Sequence, residues 1–160
     1  MIHISIICVG KIKEDYFTAA IREYTKRLQR YCKLTVIEVK DEATPDAPSP
    51  REAEQILAKE GQRILEKIPP AAHVTALCIE GKPMTSPAFA ASIADFMANG
   101  GSRLVFIIGG SLGLSDAVKC RADQKLSFSP MTFPHQLMRI ILLEQIYRAM
   151  NINHGGKYHK

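Results

Sequence analysis

The stretch Arg103–Gly113, RLVFIIGGSLG, decides the fold. Its first six residues (103–108) are nearly all apolar, as expected of a central strand in a parallel sheet covered on both faces. Gly109 and Gly110 follow at the end of that strand, where parallel α/β sheets bind their ligands. Four further β-type runs lie outward from it: HISIICV (3–9), LTVIEV (34–39), HVTALCIEG (73–81) and QKLSF (124–128).

Helical patterns separate these runs. Apolar spacings of three and four predict helices over 14–31 and, after a capping box at Ser49–Glu52, as far as Pro69. Ser86-Pro87 is predicted to cap a third helix, and shorter signals predict helices near 115–121 and over 134–151. Five strands alternating with five helices predict an α/β fold, a parallel sheet with helices on both faces. Without repeats or a long linker, residues 1–160 are predicted to form a single domain.

Composition limits the class of protein. The chain is 46% hydrophobic and 23% charged, typical of a soluble globular domain. No apolar run approaches the roughly 18 residues of a membrane span, and MIHISIICVGK is too short for a signal peptide, so we expect a cytoplasmic protein without membrane contact. The cysteines, at 8, 32, 78 and 120, lack metal-ligand spacing. We predict buried thiols and no metal site.

The positive charge is unevenly distributed. The net charge is +5, and residues 119–160 alone carry seven basic and two acidic side chains. A concentrated basic region attracts polyanions by releasing their counterions. The sequence therefore favours nucleic acid as a partner, although a basic surface that only aids solubility has the same composition.

The last predicted helix, HQLMRIILLEQIYRAMN (135–151), is apolar on almost every face. A surface helix of a monomer normally keeps one polar side. Either a symmetric dimer covers a second side, which we favour, or the helix is deeply buried within one subunit.

Three segments are predicted to lie beyond the carboxyl ends of strands: Glu80-Gly81, Gly109–Gly113 and Ser127–Phe133. The glycines permit close approach of a ligand, although a glycine turn needed only for geometry looks the same. Met131 and Phe133 offer apolar contacts and the amides and hydroxyls around them offer hydrogen bonds to an adenine, unless this segment is an ordinary strand-to-helix connection.

The C-terminal segment NINHGGKYHK (151–160) combines glycine, basic and aromatic residues. Such a segment can stack on a base and contact phosphates, although composition alone equally describes a frayed terminus. Glu144 and Arg148, four residues apart, are predicted to form a structural ion pair.

Several of these segments together resemble one family. They are FIIGGSLGL (106–114), LSFSPMTFPHQLMR (126–139), EQIYRA (144–149) and the ending YHK (158–160), supported by VGKIKEDY (9–16) and EGQRIL (60–65). The chain resembles the RlmH (YbeA-type) proteins, SPOUT-class methyltransferases of large-subunit ribosomal RNA, over essentially its whole length.

The resemblance implies more than the residues do. It implies a SPOUT-like sheet with a C-terminal trefoil knot, a homodimer, and transfer of the methyl group of S-adenosylmethionine (SAM) to N3 of a pseudouridine in 23S rRNA within the ribosome. Matched by motif, the cofactor contacts would be Leu77, Gly109, Phe128, Ser129, Pro130, Met131, Thr132 and Phe133.

The chemistry at N3 requires loss of a proton, because the neutral imide nitrogen has no available lone pair. Tyr158 and His159 are the candidate catalytic residues, with Arg148 or Lys160 stabilising negative charge. The basic residues of the first helix, Arg22, Lys26, Arg27 and Arg30, are further candidates for RNA contacts or for a solvated face. Two alternatives stay open: a ribosome-binding module without catalysis, and a nucleotide-dependent enzyme, which the missing GxGxxG motif disfavours.

Overall fold

The computed structural model describes all residues from 1 to 160. Five strands and five helices alternate along the chain, and every strand pairing is parallel, in the order β2-β1-β4-β3-β5. The elements are β1 (Ile2–Val9), α1 (Asp15–Leu28), β2 (Cys32–Val39), α2 (Pro50–Leu65), β3 (His73–Pro83), α3 (Ser86–Ala98), β4 (Arg103–Ile108), α4 (Asp116–Arg121), β5 (Gln124–Ser127) and α5 (His135–Asn153). The predicted α/β sheet is confirmed.

Helices cover both faces of the sheet, as predicted. Successive side chains of a strand point to opposite faces, so Ile4 and Ile6 of β1 enter one hydrophobic core and Ile7 and Val9 enter the other. The larger core contains residues of α1, α3 and α5, and the smaller one contains residues of α2 and α4. Strand β4 lies near the middle of the sheet, and five of its six residues are buried.

The carboxyl ends of β3 and β5 form an irregular edge. β3 pairs with β5 as far as Leu77, bulges, and pairs again from Lys82. At Gly81 a Cβ atom would lie 2.6 Å from the backbone carbon of Leu126, so only glycine permits this approach. The bulge directs residues 77–80 away from regular pairing and towards the space beyond β4 and β5.

The helix starts agree with the predictions at one site and differ at another. At α2, the Ser49 hydroxyl accepts from Glu52 N at 3.2 Å and the Glu52 carboxylate accepts from Ser49 N at 2.7 Å, so the capping box is confirmed. At α3 the predicted cap, Ser86, is wrong by one position. Thr85 is the cap, accepting from Ala88 N at 3.2 Å. Ser86 instead donates its hydroxyl to Gln145 at 2.6 Å and joins α3 to α5.

Helix α5 is covered mainly by its own subunit, where it packs against α1 and α3. Eight of its residues are buried, among them Leu142, Leu143 and Ile146. Leu137, Ile140 and Ile141 remain only partly covered. Burial within the subunit therefore accounts for much of the apolar surface, and a dimer would have to use this remaining strip. The knot and the dimer stay predictions.

Candidate active site at the carboxyl edge of the sheet

A cleft of about 360 Å³ opens where the carboxyl ends of β3, β4 and β5 meet. Most of its lining comes from the three strand-end segments predicted from the sequence, which extend here to residues 77–80, 108–114 and 126–133, although Gly81 does not line the cleft. Lys119, His135 and Met138 complete the lining. Seven of the eight predicted cofactor contacts line it: Leu77, Gly109, Phe128, Ser129, Met131, Thr132 and Phe133. Pro130 is exposed and does not line the cleft. A cleft of this size with apolar walls and a few polar groups suits a small organic ligand.

The glycine turn after β4 is closed on itself. Gly113 N donates to Gly110 O at 3.0 Å, and Gly113 has a φ of +85°, which favours glycine. At Gly109 a Cβ atom would lie 2.4 Å from Gly113 O, a backbone atom that cannot move aside easily. Glycine is therefore required at position 109 because a side chain would collide with the turn, and not only because a turn needs a flexible backbone.

The loop after β5 is held by its own hydroxyls. Ser127 donates to Ser129 O at 3.2 Å, and the Ser129 hydroxyl accepts from Met131 N at 3.0 Å. These bonds turn the backbone before Pro134 ends the loop. Met131 is 74% exposed where it borders the cleft. Its side chain is therefore available to contact an apolar part of a ligand.

The ionisable side chains that line the cleft carry little net charge. Glu80 and Lys119 form an ion pair, and the hydrogen bond from Lys119 lowers the pKa of Glu80. Burial, followed by the nearby Arg139 charge, lowers the pKa of His135, which keeps this histidine neutral near pH 7.

A buried carboxylate lies directly behind the lining. Glu60 of α2 is 4% exposed, and one of its oxygens accepts from Glu42 N at 3.0 Å. The other oxygen, Oε1, has no hydrogen-bond partner. A Cβ atom on Gly110 would lie 3.3 Å from Oε1, so the carboxylate contacts the back of the glycine turn. Nothing in the sequence pattern distinguishes Glu60 from the other acidic residues of α2.

Glu60→Gln is expected to stabilise the protein by about 1 kcal/mol at pH 7, because a buried unpartnered carboxylate oxygen is costly. Burial, partly offset by the bond from Glu42 N, raises the pKa of Glu60 in the folded state. A raised folded pKa means that the cost is present above that pKa and disappears as the pH falls through it. The difference in urea unfolding free energy between the two proteins should therefore shrink on acidification. An equal difference at every pH would contradict the burial argument.

Arg139 is a second charged residue whose role the sequence did not reveal. It is 1% exposed and pairs with Glu38 at 2.7 Å across 101 residues of chain. It also donates to Gly10 O at 2.6 Å and to Val9 O at 3.3 Å. Arg139 thus fastens the first turn of α5, immediately after the cleft loop, to the carboxyl ends of β1 and β2.

The predicted catalytic residues form one cluster around Glu144. Arg148 pairs with Glu144 at 2.7 Å, which confirms the predicted ion pair, and Tyr158 donates its hydroxyl to the same carboxylate at 2.9 Å. The Arg148 guanidinium lies 4.5 Å from the ring centre of Tyr158 and 3.2 Å from His159 Nδ1. The tail is therefore ordered against α5, and its composition alone did not indicate this. Burial and the bond to Glu144 raise the pKa of Tyr158, so its phenol stays protonated.

This cluster and the cleft are far apart within one subunit. Met138, which lines the cleft, and Arg148 lie on the same helix. Ten residues of helix separate them by roughly 15 Å. Tyr158 and His159 do not line the cleft.

Much of the positive charge in residues 119–160 is engaged in ion pairs. Four of the seven basic side chains in residues 119–160 are paired within the subunit: Lys119 with Glu80, Arg121 with Asp123, Arg139 with Glu38 and Arg148 with Glu144. Arg139 is also buried, so it cannot meet a polyanion. By contrast, Arg22 and Lys26 on α1 and Arg30 just after it are exposed and without an ion pair. The sequence gives the number of charged side chains, but only the structure shows which of them form ion pairs.

Two of the four cysteine thiols are buried. Burial raises the pKa of Cys8 to about 12 and that of Cys32 to about 11. The prediction of buried thiols fails for the other two, because Cys78 is half-buried and Cys120 is exposed. No group of three or more His, Cys, Asp or Glu side chains is arranged to hold a metal ion. None of the helices has the length and apolar character needed to cross a membrane.

The parallel sheet and the cleft at its carboxyl edge define an α/β protein of the class that binds a small ligand beyond the ends of its strands. The family described as "Predicted SPOUT methyltransferase" matches residues 2–159. The chain therefore belongs to the SPOUT methyltransferase family, in agreement with the resemblance found in the sequence.

Similar proteins narrow the class. The chain is 57% identical to a protein of Bacillus pumilus (strain SAFR-032) and 56% identical to one of Clostridioides difficile (strain 630), each over 99% of both chains. A protein of Bifidobacterium adolescentis is 59% identical over 98% of this chain and 99% of its own. All three are named ribosomal RNA large subunit methyltransferase H.

One solved structure gives an independent comparison of the fold. It is the SpoU methyltransferase AviRb from Streptomyces viridochromogenes in complex with AdoMet, with a TM-score of 0.50 and 14% identity. The match covers 97% of this chain and 59% of that one. At this identity the likeness concerns the fold alone, and it supports a SPOUT-type arrangement of the sheet.

Proposed function

We propose that this protein is a SAM-dependent methyltransferase that methylates N3 of a pseudouridine in 23S rRNA, acting as a homodimer on the ribosome in the cytoplasm. The observation that carries the proposal is the convergence of three strand-end segments on one cleft. The names of the three relatives support RNA of the large ribosomal subunit as the substrate. AviRb, with the same type of fold, binds AdoMet.

The residues of the cleft fit SAM. Leu77, Phe128 and Phe133 supply apolar surface for an adenine, and hydroxyls of Ser129 and Thr132 supply polar contacts. Gly109 and Gly110 also line the cleft, where their backbone groups can contact the ligand. The trefoil knot, an exception to the rule against threaded chains, belongs to the same proposal.

When bound, SAM supplies a methyl group on a positively charged sulfur. The N3–H proton of the pseudouridine leaves to solvent, N3 forms a bond to the methyl carbon, and the carbon–sulfur bond breaks to leave a neutral thioether. The protein has to hold the base in line with that carbon and stabilise the anion that forms when the proton leaves.

The geometry of the tail suits stabilisation of the anion that forms on the base. Arginine can only donate, so the contact between Arg148 and His159 Nδ1 requires a lone pair on Nδ1. His159 then carries its proton on Nε2, where it can donate to a carbonyl oxygen of the base. Tyr158 is likewise a protonated phenol, but its hydroxyl already donates to Glu144. We infer that His159 stabilises the deprotonated base, that Tyr158 holds the cluster in place, and that neither residue removes the proton.

The separation of the tail from the cleft supports a site shared between subunits. The two lie roughly 15 Å apart along α5, and no residue of the tail lines the cleft of its own subunit. A homodimer packed on the partly covered strip of Leu137, Ile140 and Ile141 could bring the tail of one subunit to the cleft of its partner. Lys26, Arg27 and Arg30, which border the tail at Tyr147, would then face the RNA.

Gly109→Ala tests the cleft. We expect SAM binding, measured by titration calorimetry, to weaken at least about thirtyfold because the new methyl group displaces the Gly113 carbonyl. Gly100→Ala is the control outside the cleft, since a Cβ atom there meets no other atom. Its own backbone cost comes from a φ of +84°, which Gly109 does not share, and SAM binding should stay unchanged. Equal binding by wild type and Gly109→Ala would remove this turn from the cofactor site.

The reaction itself is tested on RNA. Mass spectrometry of ribosomal RNA from cells with and without the gene should show one methylated pseudouridine that depends on the gene. Purified protein should restore it to ribosomes from the deficient cells when SAM is added. Saturable SAM binding without any methyl transfer would favour the alternative of a ribosome-binding module.

A further inference from the structure

We propose that Glu60, held behind Gly110, makes the cleft prefer a cationic methyl donor to the neutral thioether that remains after transfer. This inference rests on the proposed SAM site and adds to it a residue outside the cleft lining. Glu60 would be a specificity-determining residue that acts through its charge, without touching the ligand.

The first step concerns position. Both oxygens of Glu60 lie close to Gly110, at 3.3 and 3.6 Å from where a Cβ atom would be. Gly110 also lines the cleft, whereas Glu60 does not. A glycine without a side chain therefore borders both the carboxylate and the cleft. Val9 fills the remaining space next to Gly110, with its Cγ1 atom 3.0 Å from the same point.

The second step concerns charge. Glu60 forms no ion pair, and its single hydrogen bond comes from the backbone of Glu42. Arg63, on the same helix, acts on Glu60 through its charge but is itself paired with Glu42 and bonded to the carbonyl of Lys40. Asp41 and Glu42, on the neighbouring loop, add negative charge. Glu60 therefore has no ion-pair partner of its own within the subunit.

The third step concerns the ligand. Water screens a buried charge poorly, so its field extends into the adjoining cleft. The lining charges do not cancel this field, because Glu80 and Lys119 pair with each other. A sulfonium ion in the cleft gains from the field, whereas a thioether does not. A buried carboxylate that costs stability is thus explained by the discrimination it provides between substrate and product.

Titration calorimetry with SAM and with S-adenosylhomocysteine (SAH), its demethylated product, tests the proposal on the full-length protein. In Glu60→Gln, which keeps the shape and the acceptor for Glu42 N, the ratio of SAH to SAM dissociation constants should fall about fivefold, as expected for charges about a nanometre apart in protein. SAM affinity should weaken while SAH affinity stays within about twofold. Glu60→Asp, which keeps the charge, should preserve most of the preference.

Glu54→Gln is the matched control, because it removes one negative charge from an exposed position on the same helix. It should leave the ratio unchanged. An unchanged ratio in Glu60→Gln, or equal weakening of both ligands, would overturn the proposal and leave Glu60 as a structural support of the glycine turn. Failure of the wild type to bind either ligand would instead overturn the proposed function.

Discussion

Replacing Glu38 with alanine is expected to lower the free energy of unfolding by about 3 kcal/mol, because it leaves the guanidinium of Arg139 buried without its anion. Arg139 is 1% exposed, and after the change only the carbonyls of Val9 and Gly10 would accept from it. Ile12 N would also lose its acceptor, the Glu38 carboxylate at 3.0 Å. Urea unfolding followed by circular dichroism measures the loss.

The matched variants are Arg139→Met and the double variant. Arg139→Met removes the buried charge and roughly keeps the volume, so it should cost less than Glu38→Ala. In the double variant the buried charge is absent as well, and its stability should approach that of Arg139→Met. Additive losses would show that the two side chains act independently, contrary to their 2.7 Å contact.

This ion pair also concerns the cleft. Arg139 lies one turn after His135, at the point where the cleft loop becomes helix α5. The backbone of Lys13 donates to Gln136 at 3.2 Å and adds a second tie between the β1–α1 loop and the same turn. Loosening of this corner should therefore weaken ligand binding before the whole fold is lost.

The sheet could be predicted from the sequence because its information is local. Runs such as RLVFII and the capping box at Ser49 specify an element through neighbours within a few residues. The cleft followed from the same information, since all strands are parallel and their carboxyl ends share one edge. The cap of α3 was misplaced by one residue because Thr85 and Ser86 are equivalent in sequence, and only packing against Gln145 distinguishes them.

The long-range contacts could not be predicted. Arg139 read as one more basic residue of the C-terminal region, yet it pairs with Glu38 across 101 residues. Glu60 had no predicted role of its own, yet it contacts the glycine turn. The burial and pairing of a charge depend on which helix packs over which strand end. A single sequence does not show which residues become neighbours in this way.

His159→Ala is expected to lower kcat for methyl transfer by about a hundredfold, because it removes one donor to the negative charge that develops on the base. SAM binding should stay within about twofold, since His159 does not line the cleft. His154→Ala is the control: its ring contacts Met150 O at 2.8 Å and has no contact with Arg148. Single-turnover methylation of ribosomes measures the effect. An unchanged rate would remove His159 from the mechanism.

Mixing two inactive variants separates a shared site from one built within a single subunit. In a heterodimer of Gly109→Ala and His159→Ala subunits, a shared arrangement combines the intact cleft of the second with the intact tail of the first. Random mixing should then restore about a quarter of wild-type activity, since half of the dimers are mixed and each has one complete site. If cleft and tail of the same subunit worked together, every site would carry a defect and activity would stay absent. The roughly 15 Å that separate them along α5 favour restoration.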